Sequence, residues 1–178
     1  MAELRCRRDE RAPALAAVKV RSARAADWPV LRELWQELDG EHAALQPGFF
    51  RQPPLPRRRA ELTARLADST QQLLVAERDG AVIGAVRLQV FETPPQGWAR
   101  VRRRGYLDDL IVAAAARGAG VGQTLLQAAL AACRGRGVEQ VALTVWQGNA
   151  AAERIYRRLG FRPASRVLAL ELDAGAAG

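Results

Sequence analysis

The chain holds one lysine, one histidine, one methionine and two cysteines among its 178 residues. Each scarcity excludes something. Cys6 and Cys133 are too few for a disulfide framework and neither stands in a C-x-x-C pair, which suits a reducing compartment. A single histidine, His42, removes most His/Cys metal sites. Long apolar runs are missing too. Stretches such as Ala113–Ala116 and Ala128–Ala132 fall far short of the roughly 18 residues that a membrane span needs. The charged start, Met1 to Arg11, is followed by no apolar core of a secretory leader. These absences read as a soluble, cytoplasmic protein without membrane partners.

What remains has the composition of a globular domain. Hydrophobic residues make up 49% and charged residues 26%, both ordinary for a packed core. The length fits one domain. The net charge is +8 and almost all of it is arginine, since Lys19 is the only lysine. Such an excess points to an anionic partner: nucleic acid, a phosphate-bearing cofactor or an acidic surface. Arginine clusters lie at Arg5–Arg8, Arg57–Arg59 and Arg102–Arg104, scattered and without interleaved aromatics for base stacking. Solvated surface accounts for them better than nucleic-acid binding does.

Along the chain, residues 1–16 show no period and read as a poorly ordered tail, and 174–178 form a Gly/Ala tail. Residues 17–173 form the expected domain. Val18–Arg24 alternates as a short strand. Asp27 is placed to cap a helix carrying Pro29 in its first turn and Val30, Leu31, Leu34, Trp35 and Leu38 at helical spacing. Gly40 is expected to end that helix, Glu41–Pro56 to form a loop, and Arg57–Ala67 a second helix. Gln72–Glu77, Asp79-Gly80 and Ala81–Glu92 read as a hairpin. Thr93–Gly97 is a further turn before a strand over Arg100–Val112. A helix then follows from Gly118, with Val121, Leu125, Leu126, Ala129, Leu130 and Cys133 on one face. Val138–Trp146 reads as a strand, Asn149–Leu159 as a helix ended by Gly160, and Arg166–Leu172 as a last strand. The order β-α-α-β-β-β-α-β-α-β implies an α/β (α+β) fold. Its sheet would be mixed and mostly antiparallel, with a central parallel strand pair joined by a right-handed crossover and flanking helices.

Chemistry concentrates at one junction. Arg117, Gly118, Ala119, Gly120, Val121, Gly122 and Gln123 separate a buried strand from a helix. Glycines there let backbone amides converge on a ligand, and the helix N-terminus favours an anion. A guanidinium can add a bidentate contact to phosphate. The plainer alternative is a tight strand-to-helix turn. No lysine follows Gly122, so this is not a Walker loop, and the Gly-x-Gly-x-Gly spacing departs from the dinucleotide fingerprint.

Tyr106-Leu107-Asp108-Asp109-Leu110-Ile111-Val112, followed by Arg117, Gly120 and Gly122, resembles the acyl-coenzyme A motif of the GNAT N-acetyltransferases. Asn149, Tyr156 and Gly160-Phe161 are similar to that family's second cofactor motif at the expected separations. The element order agrees over about residues 18–172. The resemblance implies acetyl-CoA as cosubstrate and no metal. Backbone groups of Leu110, Ile111 and Val112 would pair with the pantetheine arm. Amides from Gly118 to Gln123, with Arg117, would hold the pyrophosphate, and Asn149 would bond the pantetheine. Tyr156 would protonate the leaving thiolate, as a phenol with an ordinary pKa of about 10 can. In the diamine-type pattern a glutamate stands where Asp108 stands, so Asp108 is the candidate base or amine anchor, acting directly or through water.

Adjacent strand residues point to opposite faces, so only one of Asp108 and Asp109 is expected to face the acceptor. Glu37, Glu41, His42, Phe49, Phe50, Glu92 and Trp98 are candidates to shape a site for a cationic amine. The expected activity is acetyl transfer to a small-molecule or peptide primary amine by direct attack, in a monomer or homodimer. No cysteine is placed for an acyl-enzyme. A non-catalytic CoA-binding or basic interaction module is the alternative, and it would have no need of Tyr156 and Asp108.

Overall fold

The computed structural model describes residues 17–51, 56–93 and 103–170. The tails, the end of the Thr93–Gly97 turn, Trp98 and the start of the strand expected from Arg100 lie outside them. Five strands and four α-helices are present: β1 (Lys19–Ser22), α1 (Trp28–Leu45), α2 (Arg59–Ala67), β2 (Gln71–Arg78), β3 (Ala81–Glu92), β4 (Arg103–Val112), α3 (Val121–Gly135), β5 (Gln140–Leu143) and α4 (Ala150–Arg158). They make the mixed α/β domain that the sequence pattern implies.

The strands lie in the order β1-β2-β3-β4-β5. Neighbours are antiparallel from β1 to β4, and β5 runs parallel to β4. α3 supplies the crossover between that parallel pair. One face of the sheet packs Leu88, Leu107 and Val86 against Val121, Leu125, Leu126 and Ala129 of α3. The other packs Val75, Ala85 and Ile111 against Leu31, Leu34 and Trp35 of α1 and Leu62 of α2. The helical period of α3 and the alternation of the strands therefore bury the residues they select.

Three expectations need correction or refinement. Asp27 stands at the N-cap of α1 as expected, but its side chain makes no capping hydrogen bond to that helix. It closes a single 3-10 turn at Ala25–Asp27, where its carboxylate accepts from the Arg24 N–H at 2.7 Å and from the Arg21 guanidinium at 2.8 and 2.9 Å. Gly40 does not end α1, which continues to Leu45 and takes in His42. The buried Leu38 and Ala43 on either side hold the helix through a glycine whose cost is only about 1 kcal/mol.

The strand expected at Arg166–Leu172 is not formed over Arg166–Leu170, and 171–172 lie outside the described residues. A strand requires a ladder partner, and this segment is extended in solvent without one. Among the described residues β5 is the outermost strand.

Candidate active site

The sheet opens at β4. Its pairing with β5 runs from Arg104↔Gln140 to Leu107↔Leu143 and stops there. Asp108 to Val112 continue as strand with no neighbouring strand on that side among the described residues. Backbone groups of Leu110, Ile111 and Val112 thus border a notch between β4 and the loop entering α4. That edge is the one the resemblance assigns to an extended ligand arm.

On its other edge β4 carries a bulge. Ala85 pairs with Ile111 and Arg87 with Asp108, so Val86 alone spans Asp109 and Leu110. Asp109 takes φ 50°, a left-handed conformation that aspartate tolerates better than most residues. The extra residue shifts the alternation of side chains. Asp108 and Asp109 do not diverge to opposite faces as simple pleating would require; both meet Arg87 of β3. Arg87 donates from Nη2 to Asp108 Oδ2 and from Nε to Asp109 Oδ2 at 3.1 Å.

Beyond that shared arginine the two carboxylates part company. Asp109 is 8% exposed. Its Oδ2 lies 2.9 Å from Arg57 Nη1 and 3.0 Å from Arg65 Nη1. Arg57 also holds Asp39 at 2.6 and 2.9 Å. Both guanidiniums sit over the Trp35 ring, at 5.1 and 5.2 Å from its centroid. Burial pushes the Asp109 carboxyl up, but Arg57, Arg87 and Arg65 together outweigh it and hold it below the ordinary value. Asp109 is a structural anion.

Asp108 keeps 43% of its side chain exposed, and its Oδ1 accepts from the Asp109 N–H at 2.8 Å. Tyr156 of α4 packs, partly buried, against the α3-side core. Burial, and secondly the charge of Asp108, push its phenol up to about 12, so it is fully protonated at neutral pH. Phe161 buttresses the ring edge-on at 5.9 Å.

The glycine turn has the geometry of an anion cradle. Gly118 and Gly120 take φ 77° and 79°, and a Cβ at either would meet no atom within 4 Å. Gly120 precedes α3, and the first N–H to return to the helix is that of Thr124, to Gly120 O at 3.0 Å. The earlier amides at the start of α3 thus remain for a ligand. Even Gly122 is loosely packed, its nearest contact being Val112 Cγ2 at 3.6 Å. The left-handed φ at Gly118 and Gly120 accounts for glycine at those two positions, as the tight-turn alternative requires, while Gly122 is held by neither conformation nor close packing.

Two cofactor candidates are already engaged. Arg117 donates from Nε to Val112 O at 2.9 Å and pairs with Glu37 and Glu41 of α1. Asn149 caps α4, its Oδ1 accepting from the Ala152 N–H at 3.1 Å.

Of the acceptor candidates, Glu37 and Glu41 are thus tied to Arg117. His42 stacks on Phe50 at 5.4 Å, and Phe49 and Phe50 contact Trp146 at 5.0 and 4.9 Å. Gln46 Nε2 reaches Gln147 O at 3.1 Å. These contacts fasten the end of α1 to the loop entering α4. Glu92 does not belong to the site. It pairs with Arg103 at the far end of the β3–β4 ladder, about 30 Å of strand from Val112. Sequence reading missed Arg57, Arg65, Arg87 and Trp146, since nothing local in their segments signals the register that gathers them.

Among the described residues no group of three or more His, Cys, Asp or Glu side chains could hold a metal ion. No helix among them is long and apolar enough to cross a membrane. Cys133 is buried on α3 and its thiol is pushed up by that burial.

The family model of the acetyltransferase (GNAT) family matches residues 28–161. Solved structures agree with that match. A mutant protein from Bacillus halodurans superposes with TM-score 0.82 at 21% identity, covering 86% of this chain and 99% of that one. A GCN5-related N-acetyltransferase from Ralstonia eutropha superposes with TM-score 0.63 at 26% identity, covering 87% and 99%. A predicted acetyltransferase with acetyl-CoA from Clostridium acetobutylicum gives TM-score 0.65 at 17% identity over 87% and 96%. The chain belongs to the GNAT acetyltransferase family and is an N-acetyltransferase.

Proposed function

We propose that residues 17–173 form a domain that moves an acetyl group from acetyl-CoA to a primary amine of a small molecule or peptide, by direct attack in a ternary complex. The observation that carries this reading is the left-handed glycine turn at the head of α3 together with the β4 edge that runs on past the end of its pairing with β5.

Acetyl-CoA supplies the thioester that the amine attacks. The amides from Gly118 to Gln123, at the positive end of α3, bind pyrophosphate. Arg117 joins them by exchanging Glu37 and Glu41 for phosphate oxygens. The open edge of Leu110, Ile111 and Val112 gives backbone groups to the pantetheine arm, and the Asn149 amide nitrogen donates beside it. Tyr156 holds a proton at Oη for the departing thiolate. Both Asp108 oxygens already accept hydrogen bonds. That arrangement suits an anchor for the amine. The ammonium gives its proton to water before the neutral nitrogen attacks the thioester carbonyl, and the C–S bond then breaks as the thiolate takes the Tyr156 proton.

The test has two arms. Acetyl-CoA at about 100 times its Kd should stabilise the fold by about 2.7 kcal/mol, read as a rise in Tm. Turnover should then appear in a panel of polyamines, amino acids, aminoglycosides and peptide N-termini. Stabilisation without turnover across the panel would favour a CoA-binding module; no stabilisation would remove the proposal altogether.

A further inference from the structure

The arginine of the glycine turn is held elsewhere in the free chain. Arg117 is the only cation in the turn 113–123 that leads into α3. Its Nε donates to the carbonyl of Val112, the last residue of β4, at 2.9 Å. Its Nη2 pairs with both Glu37 and Glu41 of α1. The two glutamates lie one helical turn apart, a spacing at which carboxylates repel each other unless a cation joins them. Among the described residues no other cation pairs with either. Asp39, between them in sequence, holds Arg57 instead. The three groups carry one positive and two negative charges, a net −1 at a turn whose free amides favour an anion.

A phosphate that reaches the turn must therefore win Arg117 from two carboxylates of the chain itself. The arginine and the two glutamate side chains are 43%, 33% and 40% exposed, so water screens the pairs. A pair of that exposure is worth at most about a fivefold factor in an equilibrium constant. That is weak enough for a pyrophosphate to break and strong enough to register in its affinity. The glutamates cannot follow the arginine. Leu31, Leu34, Trp35 and Leu38 bury α1 against the sheet, so the carboxylates stay in place when the guanidinium turns away.

We propose that Glu37 and Glu41 form a built-in competitor for the cofactor's pyrophosphate, an autoinhibitory contact that lowers acetyl-CoA affinity by holding Arg117 on α1. The inference rests on the acetyl-CoA reading above. In the free chain Arg117 ties the end of β4 to α1. In the loaded chain it gives up α1 for phosphate and leaves two like charges on adjacent turns without their cation. Cofactor affinity is thus set in part by two residues that do not touch the cofactor.

The test is calorimetric titration of acetyl-CoA into the full chain and into the double variant Glu37→Gln, Glu41→Gln, in about 0.15 M salt to screen distant charges. Each titration is repeated with Arg117→Gln added. Removing both carboxylates should tighten the Kd by about three- to tenfold. The same removal should help by a smaller factor once Arg117 is gone, because it then relieves only the repulsion between carboxylate and phosphate. Three results would overturn the proposal. One is a Kd that the double variant leaves unchanged or weakens while Arg117 is present. Another is an equal gain with and without Arg117, which would mean that the glutamates act through their field alone. The last is a parent chain that does not bind acetyl-CoA, and only that result would remove the acetyl-CoA reading as well.

Discussion

Asp108 and Asp109 are neighbours in the chain and opposites in their surroundings. Asp109 is locked between three arginines beneath α1 and α2, while Asp108 stands half-exposed at a notch bordered by α4. One arginine, Arg87, touches both. On the α1/α2 side Asp39 and Asp109 are paired with Arg57, Arg65 and Arg87, and two of those guanidiniums lie over the Trp35 ring. Beyond the end of its pairing with β5, β4 runs on, and Asp108 stays half-exposed. A single bulge in β4 thus separates a buried carboxylate shared by three arginines from a half-exposed one.

The comparison predicts that changes in the notch alter turnover at little cost in stability, and that changes in the buried node do the reverse. The largest effect belongs to Tyr156→Phe. Loss of a general acid should lower kcat by about 10²–10⁴-fold, roughly 3–5 kcal/mol, with acetyl-CoA affinity by calorimetry nearly unchanged. Turnover equal to the parent would remove Tyr156 from the chemistry.

Asp109→Asn comes next. It leaves Arg57, Arg65 and Arg87 in a buried site without their shared anion, which should cost about 3–5 kcal/mol in chemical denaturation. A cost below about 1 kcal/mol would mean that the node is no tighter than a surface ion pair.

A smaller effect follows from acid. The Asp109 carboxyl titrates lower in the folded chain than in the unfolded one. Its stabilisation is therefore fully present above the unfolded value of about 4 and is lost as pH falls through the folded value. Unfolding free energies measured below pH 5 should fall less steeply in Asp109→Asn than in the parent; parallel curves would break the assignment.

The smallest change lies outside both regions. Gly40 is helical and a Cβ there meets nothing within 4 Å, so Gly40→Ala should stabilise the protein by about 0.5–1 kcal/mol with turnover unaltered. A loss of stability would show that α1 needs its glycine.

Much of the fold was legible from local pattern. The face Val121, Leu125, Leu126, Ala129 and Cys133 is buried as its spacing requires. Asp79-Gly80 forms the hairpin turn with both residues at positive φ, and the glycine run before α3 adopts the left-handed turns its composition permits. Where local signals failed, a non-local contact had prevailed. Gly40 reads as a helix stop, yet Leu38 and Ala43 pack the helix through it. Arg166–Leu170 has the sequence of a strand, yet a strand exists only when a second edge meets it. Glu92 lies in the same hairpin as Asp108 but five ladder positions from it, and only strand length and direction reveal that.

By itself the sequence determined the succession of elements, the glycine turn at the head of α3 and the residue types of a CoA-dependent acetyl transfer. Those depend on backbone preference and periodicity over a few residues. Tertiary structure alone decided which aspartate is locked and which is open. It also tied Arg117 to Glu37 and Glu41 of α1. Each of these depends on register between segments far apart in the chain. A one-residue shift in pairing redirects every side chain beyond it, and no local stretch of sequence records such a shift.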